Sequence, residues 1–338
     1  DLSIGIAKRE KALLDRVDYD NGYSLYIGIP FCPSTCAYCS FTSYPLGVWK
    51  NRVDDYLDAL EKEIDYTAQK FYHKKLNSIY IGGGTPTTLS PAQLDRLIRK
   101  IKCSFDLKDC LEFTVEAGRP DVFSEEKLRL LKDHGVTRIC INPQSFSDDT
   151  LRKIGRKHTA ADVYRAFEMS AKYNFGINLD LIAGLADETL ADFEKSLEAA
   201  AGLAPENITV HCLCLKAGAK LKEETSYLDA PVVSEMVEKS RQVLPENGYR
   251  PYYLYRQKYQ AGNNENVGWA KKGAECVYNI DVMEEIADNI AVGANAVSKK
   301  VTFSDGKITR YASPKDLKTY IEKIDEIIAK KAEFFDRG

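Results

Sequence analysis

Three cysteines, Cys32, Cys36 and Cys39, stand within eight residues in "YIGIPFCPSTCAYCSF", and their number is the first clue. A structural zinc site asks for four protein ligands, and no second C-x-x-C pair is near enough in sequence to complete one. The other cysteines, at 103, 110, 140, 212, 214 and 276, are scattered; Cys140, Cys212 and Cys214 fall in predicted core strands, where a free thiol behaves as a small hydrophobe. Three thiolates on one loop suit a cluster left open at one metal. A four-iron, four-sulfur (4Fe-4S) cluster held this way keeps one iron free of protein, and that iron can be chelated by the amino and carboxylate groups of an amino-acid-like cofactor. An incomplete zinc site and chance spacing are the alternatives. Against them, the motif directly follows a strand, and one βα unit later comes "GGGTP", Gly82 to Pro86. Its glycines let backbone approach a ligand closely, although a flexible turn would read the same way in isolation.

These features need elements to position them. Short β-branched runs, "YSLYIGI", "LNSIYIGG", "LEFTVEA", "VTRICIN", "GINLDLIAG" and "NITVHCLCL", alternate with helical patterns such as "VDDYLDALEKEIDYTAQKF", "SPAQLDRLIRKI" and "TAADVYRAFEMSAKYN". Six strands alternating with helices predict a parallel sheet. The cysteine loop follows strand one, "GGGTP" follows strand two, Glu116 ends strand three, "NPQSF" ends strand four and Asp180 ends strand five. All five lie at carboxyl ends of strands, where parallel barrels carry their active sites. The expectation is an α/β chain with a partial (β/α)6 barrel over 23–222, an N-terminal helix over 1–22 and a smaller α+β accessory domain over 223–338. The helix "SEMVEKSRQVLPENGYR" and the aromatic run "PYYLYRQKY" belong to the last part.

The bulk numbers narrow the setting. Forty-seven Lys and Arg against 50 Asp and Glu give a net charge of −3, with no long run of one sign, which argues against a nucleic-acid partner. No stretch of about 18 apolar residues exists, and the N-terminus reads as an amphipathic helix instead of a signal peptide. The nine cysteines are odd in number and irregularly spaced, against a secreted disulfide framework. A cytoplasmic protein without a membrane segment is expected. Because the chain opens on Asp1, a missing upstream segment is expected too.

With C-x3-C-x2-C at the first strand-to-helix loop and a glycine-rich turn after strand two, the chain resembles the radical S-adenosylmethionine (SAM) superfamily. "YIGIPFC", "IYIGGGTPT", "EFTVEAGRP", "NPQSF", "IGRKH" and "LDLIAGL" follow the order of its oxygen-independent coproporphyrinogen III oxidase-like branch. "CSFTSYP", "VEAGRPD", "PENITVH", "YYLYRQK" and "NENVG" are most similar to the HemZ-type coproporphyrinogen dehydrogenases. The resemblance implies a 4Fe-4S cluster on the three cysteines, one or two SAM molecules, a flavodoxin- or ferredoxin-like electron donor and a tetrapyrrole substrate. It also implies the chemistry: an electron from the cluster cleaves SAM, and the 5'-deoxyadenosyl radical removes a propionate hydrogen, so that loss of carbon dioxide and one electron leaves a vinyl group.

By the same resemblance Tyr26, Tyr38, Gly83, Gly84, Thr85 and Glu116 match SAM contacts, and Gln144, Arg156 and Asp180 match residues around a second SAM or the substrate. The guanidinium of Arg156 is a natural fork for a carboxylate. Glu116 can instead form an ion pair with Arg119, and Asp180 can be a capping residue. Of the four histidines, His73 and His134 read as solvated on helix surfaces, whereas His211 and Cys212 alternate along the last barrel strand, so one of them points inward. His158 lies in "IGRKH". "PYYLYRQKY", with Arg256 and Lys258, reads equally as a wall for a flat tetrapyrrole or as an edge strand.

The chain departs from the decarboxylating pattern at Ser40-Phe41, where a further cysteine is usual, at Pro143, and at Ala186-Asp187 in place of Pro-Gly. Those departures bear on decarboxylation itself. Two neighbouring branches give the alternatives: heme chaperones, whose H-N-x-x-Y-W motif is matched here by "ENVGW" with neither His nor Tyr, and radical SAM methyltransferases that open heme anaerobically.

Overall fold

The computed structural model describes residues 2–39, 43–214, 230–257, 260–302 and 306–336. Ser40-Phe41, Lys258 and the expected domain boundary at 222 lie outside them.

The strands are β1 (Gly22–Ile29), β2 (Phe31–Cys32), β3 (Tyr44–Pro45), β4 (Lys75–Gly83), β5 (Glu112–Gly118), β6 (Arg138–Gln144), β7 (Gly176–Ala183), β8 (Asn207–Cys212), β9 (Arg250–Tyr255), β10 (Asn266–Ala270), β11 (Asp288–Val292), β12 (Val297–Thr302) and β13 (Lys307–Ala312). Eleven form one sheet in the order β13-β12-β11-β1-β4-β5-β6-β7-β8-β10-β9, and β2 pairs with β3 beside it. Strands β1, β4, β5, β6, β7 and β8 run parallel. They are the six expected from the apolar runs, with helices Val53–Lys70, Pro91–Ser104, Glu125–Asp133, Ala160–Ala171 and Leu190–Leu203 between them.

Local chemistry sets these helix starts. Ser90, Thr159 and Thr189 each accept a hydrogen bond from the backbone three residues on, and the side chain there reaches back to close a capping box. Ser124 caps Glu125–Asp133 in the simpler way. Strand β8 ends at Cys212, and Cys214 lies beyond it, in an isolated bridge to Gln260.

Residues after 230 join the same sheet at both edges. Strand β11 lies parallel to β1, with β12 and β13 antiparallel beyond it. At the other edge β10 is antiparallel to β8, and β9 is the last strand. Strand β10 arises within the Gly- and Asn-rich stretch. Between the two edges in sequence, helix Val277–Glu284 packs against the barrel: Tyr278 stacks on Tyr80 with ring centroids 4.5 Å apart, and the Val277 N–H donates to Glu112 at 3.2 Å. The main hydrophobic core joins barrel residues such as Leu25, Ile79 and Val115 to Val233, Leu244, Ile324 and Phe335. The C-terminal helix Ile324–Asp336 is also tied by a fully buried pair, Lys331 to Glu63 at 2.9 Å, with Tyr320 donating to the same carboxylate.

Candidate active site

In each parallel strand nearly every residue is buried, and near its carboxyl end one inner position stays half-accessible. These positions are Tyr26, Tyr80, Glu116, Asn142, Asp180 and His211. The row climbs across the sheet. Tyr26 pairs with Tyr80, but Glu116 faces Cys140, two residues below Asn142, and Asp180 faces Thr209, two below His211. Such stagger is what a curved, tilted sheet produces, and it spreads six functional groups around one mouth.

A cavity of about 400 Å³ opens there. Its lining includes the residues the sequence analysis matched to cluster, SAM or second-SAM contacts: Cys32, Cys36, Cys39, Tyr26, Tyr38, Gly83, Gly84, Thr85, Glu116, Gln144, Arg156 and Asp180. Among the described residues no three His, Cys, Asp or Glu side chains are close enough to share a single metal ion. The three thiols border the cavity together, an arrangement that serves a multi-iron cluster with one thiolate per iron better than one zinc. Burial pushes the Cys32 thiol up to about 11, so its thiolate is stable there only with a compensating cation.

The glycine turn also packs against the cysteine loop. A Cβ on Gly84 would stand 2.5 Å from the Phe31 carbonyl oxygen and 2.9 Å from Cys32 Sγ, so the turn packs directly beneath the first cysteine. Gly83 has φ +113°, a conformation that disfavours any side chain. The Thr85 N–H donates to the Phe31 carbonyl at 2.7 Å, and its hydroxyl to Cys32 Sγ at 3.7 Å. Thr85 therefore holds the cysteine loop as well as lining the cavity.

Glu116 makes no ion pair with Arg119. Arg119 grips Asp121 with two bonds at 2.8 and 2.9 Å, while Glu116 accepts from the Tyr80 hydroxyl at 2.7 Å and from the Gly83 N–H. Burial, aided by the Asp180 charge, pushes its carboxyl up to about 7. Arg156 donates to Tyr38 Oη at 2.7 Å and to the Asn142 carbonyl at 3.1 Å. Gln144 is buried at φ +70°. Buried Gln144 Oε1, Asn142 Oδ1 and Arg156 Nε have no hydrogen-bond partner, and all three belong to cavity-lining side chains. Orphaned polar atoms of this kind are what a polar ligand satisfies. The donor set and the close glycine backbone thus fit a cluster with SAM.

Asp180 accepts from Asn142 Nδ2 at 2.6 Å and caps no helix. His211 points inward: its Nδ1 lies 3.3 Å from Tyr255 Oη and its Nε2 3.9 Å from Asp180. The aromatic run is an edge strand, β9, as one of its two readings has it, and part of it, Tyr253 and Tyr255 stacked at 6.3 Å, also borders the cavity. Arg256 turns away to Glu265 at 3.0 Å. His134 is not solvated but meets Asp95 at 2.6 Å; His73 is exposed; His158 is buried and held down to about 4 by burial and by Arg156. Cys140 and Cys212 are buried as expected, yet both border the cavity.

Sequence reasoning missed Tyr80, Asn142, Asn178 and Asn279 in the lining. Tyr80 and Asn142 were within reach, because each shares the inward register of the strand residues that were chosen. Asn279 was not, since nothing local announces that its helix meets the barrel.

The family model of the radical SAM superfamily matches residues 26–200. The chain is 41% identical over 321 residues to the oxygen-independent coproporphyrinogen-III oxidase-like protein HemZ of Bacillus subtilis, covering 93% of this chain and 64% of that protein. It is 32% identical over 306 residues to the heme chaperone HemW of Haemophilus influenzae, covering 88% of this chain and 75% of the chaperone. Its fold is similar to that of coproporphyrinogen III oxidase (HemN) from Escherichia coli, described as a radical SAM enzyme, with a TM-score of 0.75 and 24% identity over 93% of this chain and 72% of that one. The chain spans just under two thirds of the length of the first curated relatives, 64% and 66%. Among the described residues no helix is long and apolar enough to cross a membrane. With the cysteine loop, the glycine turn and the inward row meeting at one barrel mouth, and with these matches, the chain belongs to the radical SAM superfamily, is similar there to both a coproporphyrinogen-III oxidase-like protein and heme chaperones, and by membership implies a 4Fe-4S cluster and SAM.

Proposed function

We propose that this chain is an oxidoreductase acting on a tetrapyrrole, converting propionate side chains of coproporphyrinogen III to vinyl groups by oxidative decarboxylation in a reducing, cytoplasmic setting, with a flavodoxin- or ferredoxin-like protein as electron donor. The observation that carries the reading is one cavity lined by two sets of residues. One set lies inside the family match at 26–200, and the other, with His211, Tyr253, Tyr255, Asn279 and Met283, lies beyond it in the chain. The first set supports cofactor binding and the second a substrate particular to this chain and its relatives.

The roles follow from chemistry. Cys32, Cys36 and Cys39 hold the cluster. Gly83, Gly84, Thr85 and Glu116 receive SAM, with Tyr26 and Tyr38 beside it. Together these groups supply, when bound, a carbon-centred radical able to take hydrogen from an unactivated C–H bond. The chain's own work is to orient the substrate and to keep water and stray hydrogen donors out. Tyr26, Tyr80 and Tyr278, stacked at 6.2 and 4.5 Å, close the inner wall against solvent. Gln144, Arg156 and Asp180 serve the substrate or a second SAM; the unpartnered Gln144 Oε1 and Arg156 Nε support this. Tyr255 offers an aromatic face to a flat macrocycle, and His211 Nε2 a hydrogen bond at its rim.

A second reading, heme carriage, draws support from the similarity to heme chaperones. In this chain the stretch matching the chaperone motif runs through β10, where Trp269 is 1% exposed and Glu265 is engaged by Arg256 and Arg241. Carriage would need other ligands, which favours the enzyme.

The test is anaerobic reconstitution with iron and sulfide, then incubation with SAM, a reductant and coproporphyrinogen III, with mass spectrometry of nucleoside and porphyrin. Stepwise loss of carboxyl groups in proportion to 5'-deoxyadenosine is expected. Stoichiometric heme binding with no change to either porphyrin or SAM would overturn the reading in favour of carriage.

A further inference from the structure

We propose that Arg119 and Arg156 act as positioning residues, a two-sided clamp that holds the cysteine loop in shape before any cluster binds. The inference rests on the reading that the three cysteines hold a cluster, and concerns how this chain prepares them.

Arg119 is 3% exposed and Arg156 8%. Arg119 Nη1 donates to Ser34 Oγ at 2.7 Å and to the Ser34 carbonyl at 3.3 Å. Arg156 Nη2 donates to Tyr38 Oη at 2.7 Å. Ser34 and Tyr38 lie on either side of Cys36, so each guanidinium grips the loop two residues from the middle cysteine. They come from different places, Arg119 just after β5 and Arg156 from beyond β6, so the loop is held across two strands. Between the grips the Ala37 N–H donates to the Ile154 carbonyl at 3.0 Å, a third tie to the segment that carries Arg156.

A buried guanidinium is costly unless its donors and charge are met, so what surrounds each one is informative. The charge of Arg119 is met by Asp121, which takes Nε and Nη2. Its remaining nitrogen, Nη1, is spent wholly on the loop. Arg156 has no carboxylate within ion-pair distance among the described residues; its Nη1 bonds the Asn142 carbonyl and its Nε is unpartnered. A cluster held by three thiolates is anionic, and a buried, unneutralised cation beside the loop complements it. On this account Arg156 already has both terminal nitrogens engaged, which leaves it less free than a carboxylate clamp would be.

The test uses the full chain and the variants R119Q, R156Q, S34A and Y38F, each reconstituted anaerobically with iron and sulfide. Iron and sulfide content, the rate of iron release to a chelator, the spectrum of the reduced cluster and hydrogen exchange of the loop amides in the metal-free chain are measured, with thermal unfolding as a control for folding. R119Q and R156Q should release iron about ten- to hundred-fold faster, as loss of supporting contacts around a metal site commonly does. Y38F should match R156Q, and S34A should be milder because the Ser34 carbonyl contact survives. Faster exchange should be confined to residues 33–39. Release and exchange unchanged in all four would overturn the clamp. If the arginine variants fail to fold, S34A and Y38F decide, since Y38F cuts the Arg156–Tyr38 bond and S34A one of the two Arg119–Ser34 bonds from the loop side. A wild-type chain that takes up no cluster would overturn the cysteine reading and the clamp with it. A loaded chain that leaves tetrapyrroles untouched would sink only the proposed function, because the release rates do not depend on substrate.

Discussion

Replacing Glu116 by Gln should stabilise the metal-free chain at alkaline pH and leave its stability unchanged in acid. The carboxyl sits on the inner face of β5, accepting from Tyr80 Oη at 2.7 Å and from the Gly83 N–H, with Asp180 near enough to repel its charge. Burial pushes it from 4.5 up to about 7. A carboxyl whose folded value lies above its unfolded one binds its proton more tightly in the folded state. The contribution of this one group to wild-type stability is therefore highest below about pH 4.5, falls as pH rises to about 7, and stays at the lower level beyond. At about 1.4 kcal/mol per pH unit, that interval amounts to about 3 kcal/mol. A Gln can accept from both Tyr80 and Gly83 through its amide oxygen and carries no charge, so the penalty disappears. Thermal unfolding of both proteins with chelator and reductant at pH 5, 7 and 9 measures it. The variant should melt about 5 °C higher at pH 9 and within about 1 °C of wild type at pH 5. An equal gap at every pH, or a less stable variant at pH 9, would refute the reasoning and mean that the carboxylate is held ionised in the native chain.

Two further outcomes follow from packing. Gly84→Ala drives a methyl against the Phe31 carbonyl and Cys32 Sγ, which should cost about 1–3 kcal/mol and lower the iron bound after reconstitution; a variant with wild-type iron content and melting would sink the close-packing argument. Lys331→Met leaves the Glu63 carboxylate, 0% exposed, without its cation and should cost about 3–5 kcal/mol in urea unfolding. A loss below about 1 kcal/mol would mean that Tyr320 and the Gly293 N–H suffice to hold Glu63.

Much of the barrel was legible because its signals are local. Alternating β-branched runs, Ser and Thr caps and the turn glycines act over a few residues, and the six parallel strands follow from them. The site was legible for a related reason: in parallel strands the carboxyl ends gather at one face, so motifs placed there in sequence meet in space. Particular partners were less readable. Arg119 is three residues from Glu116 and invites an ion pair, yet Asp121 and Ser34 claim it, because the chain turns after Gly118 at φ +70°. His134 reads as a surface residue until Asp95 of a neighbouring helix meets it. Strand β10 hides among Gly and Asn because its polar Asn266 is satisfied in place, accepting from the Cys212 N–H at 2.7 Å.

By itself the sequence determined the cysteine loop, the glycine turn, the strand-and-helix alternation and the resemblance they carry, since each depends on residue type and short spacing. Only the tertiary structure decided that the accessory residues split to both edges of the sheet, with β11 against β1 and β10 against β8. It also decided which side chains complete the cavity. His211 faces Asp180 and Tyr255, Tyr278 stacks behind Tyr80, and Arg119 and Arg156 grip the loop from the segments that follow two different strands. Strand pairing and register are settled by hydrogen bonds between residues far apart in the chain, and no local pattern records which edge a distant strand will join.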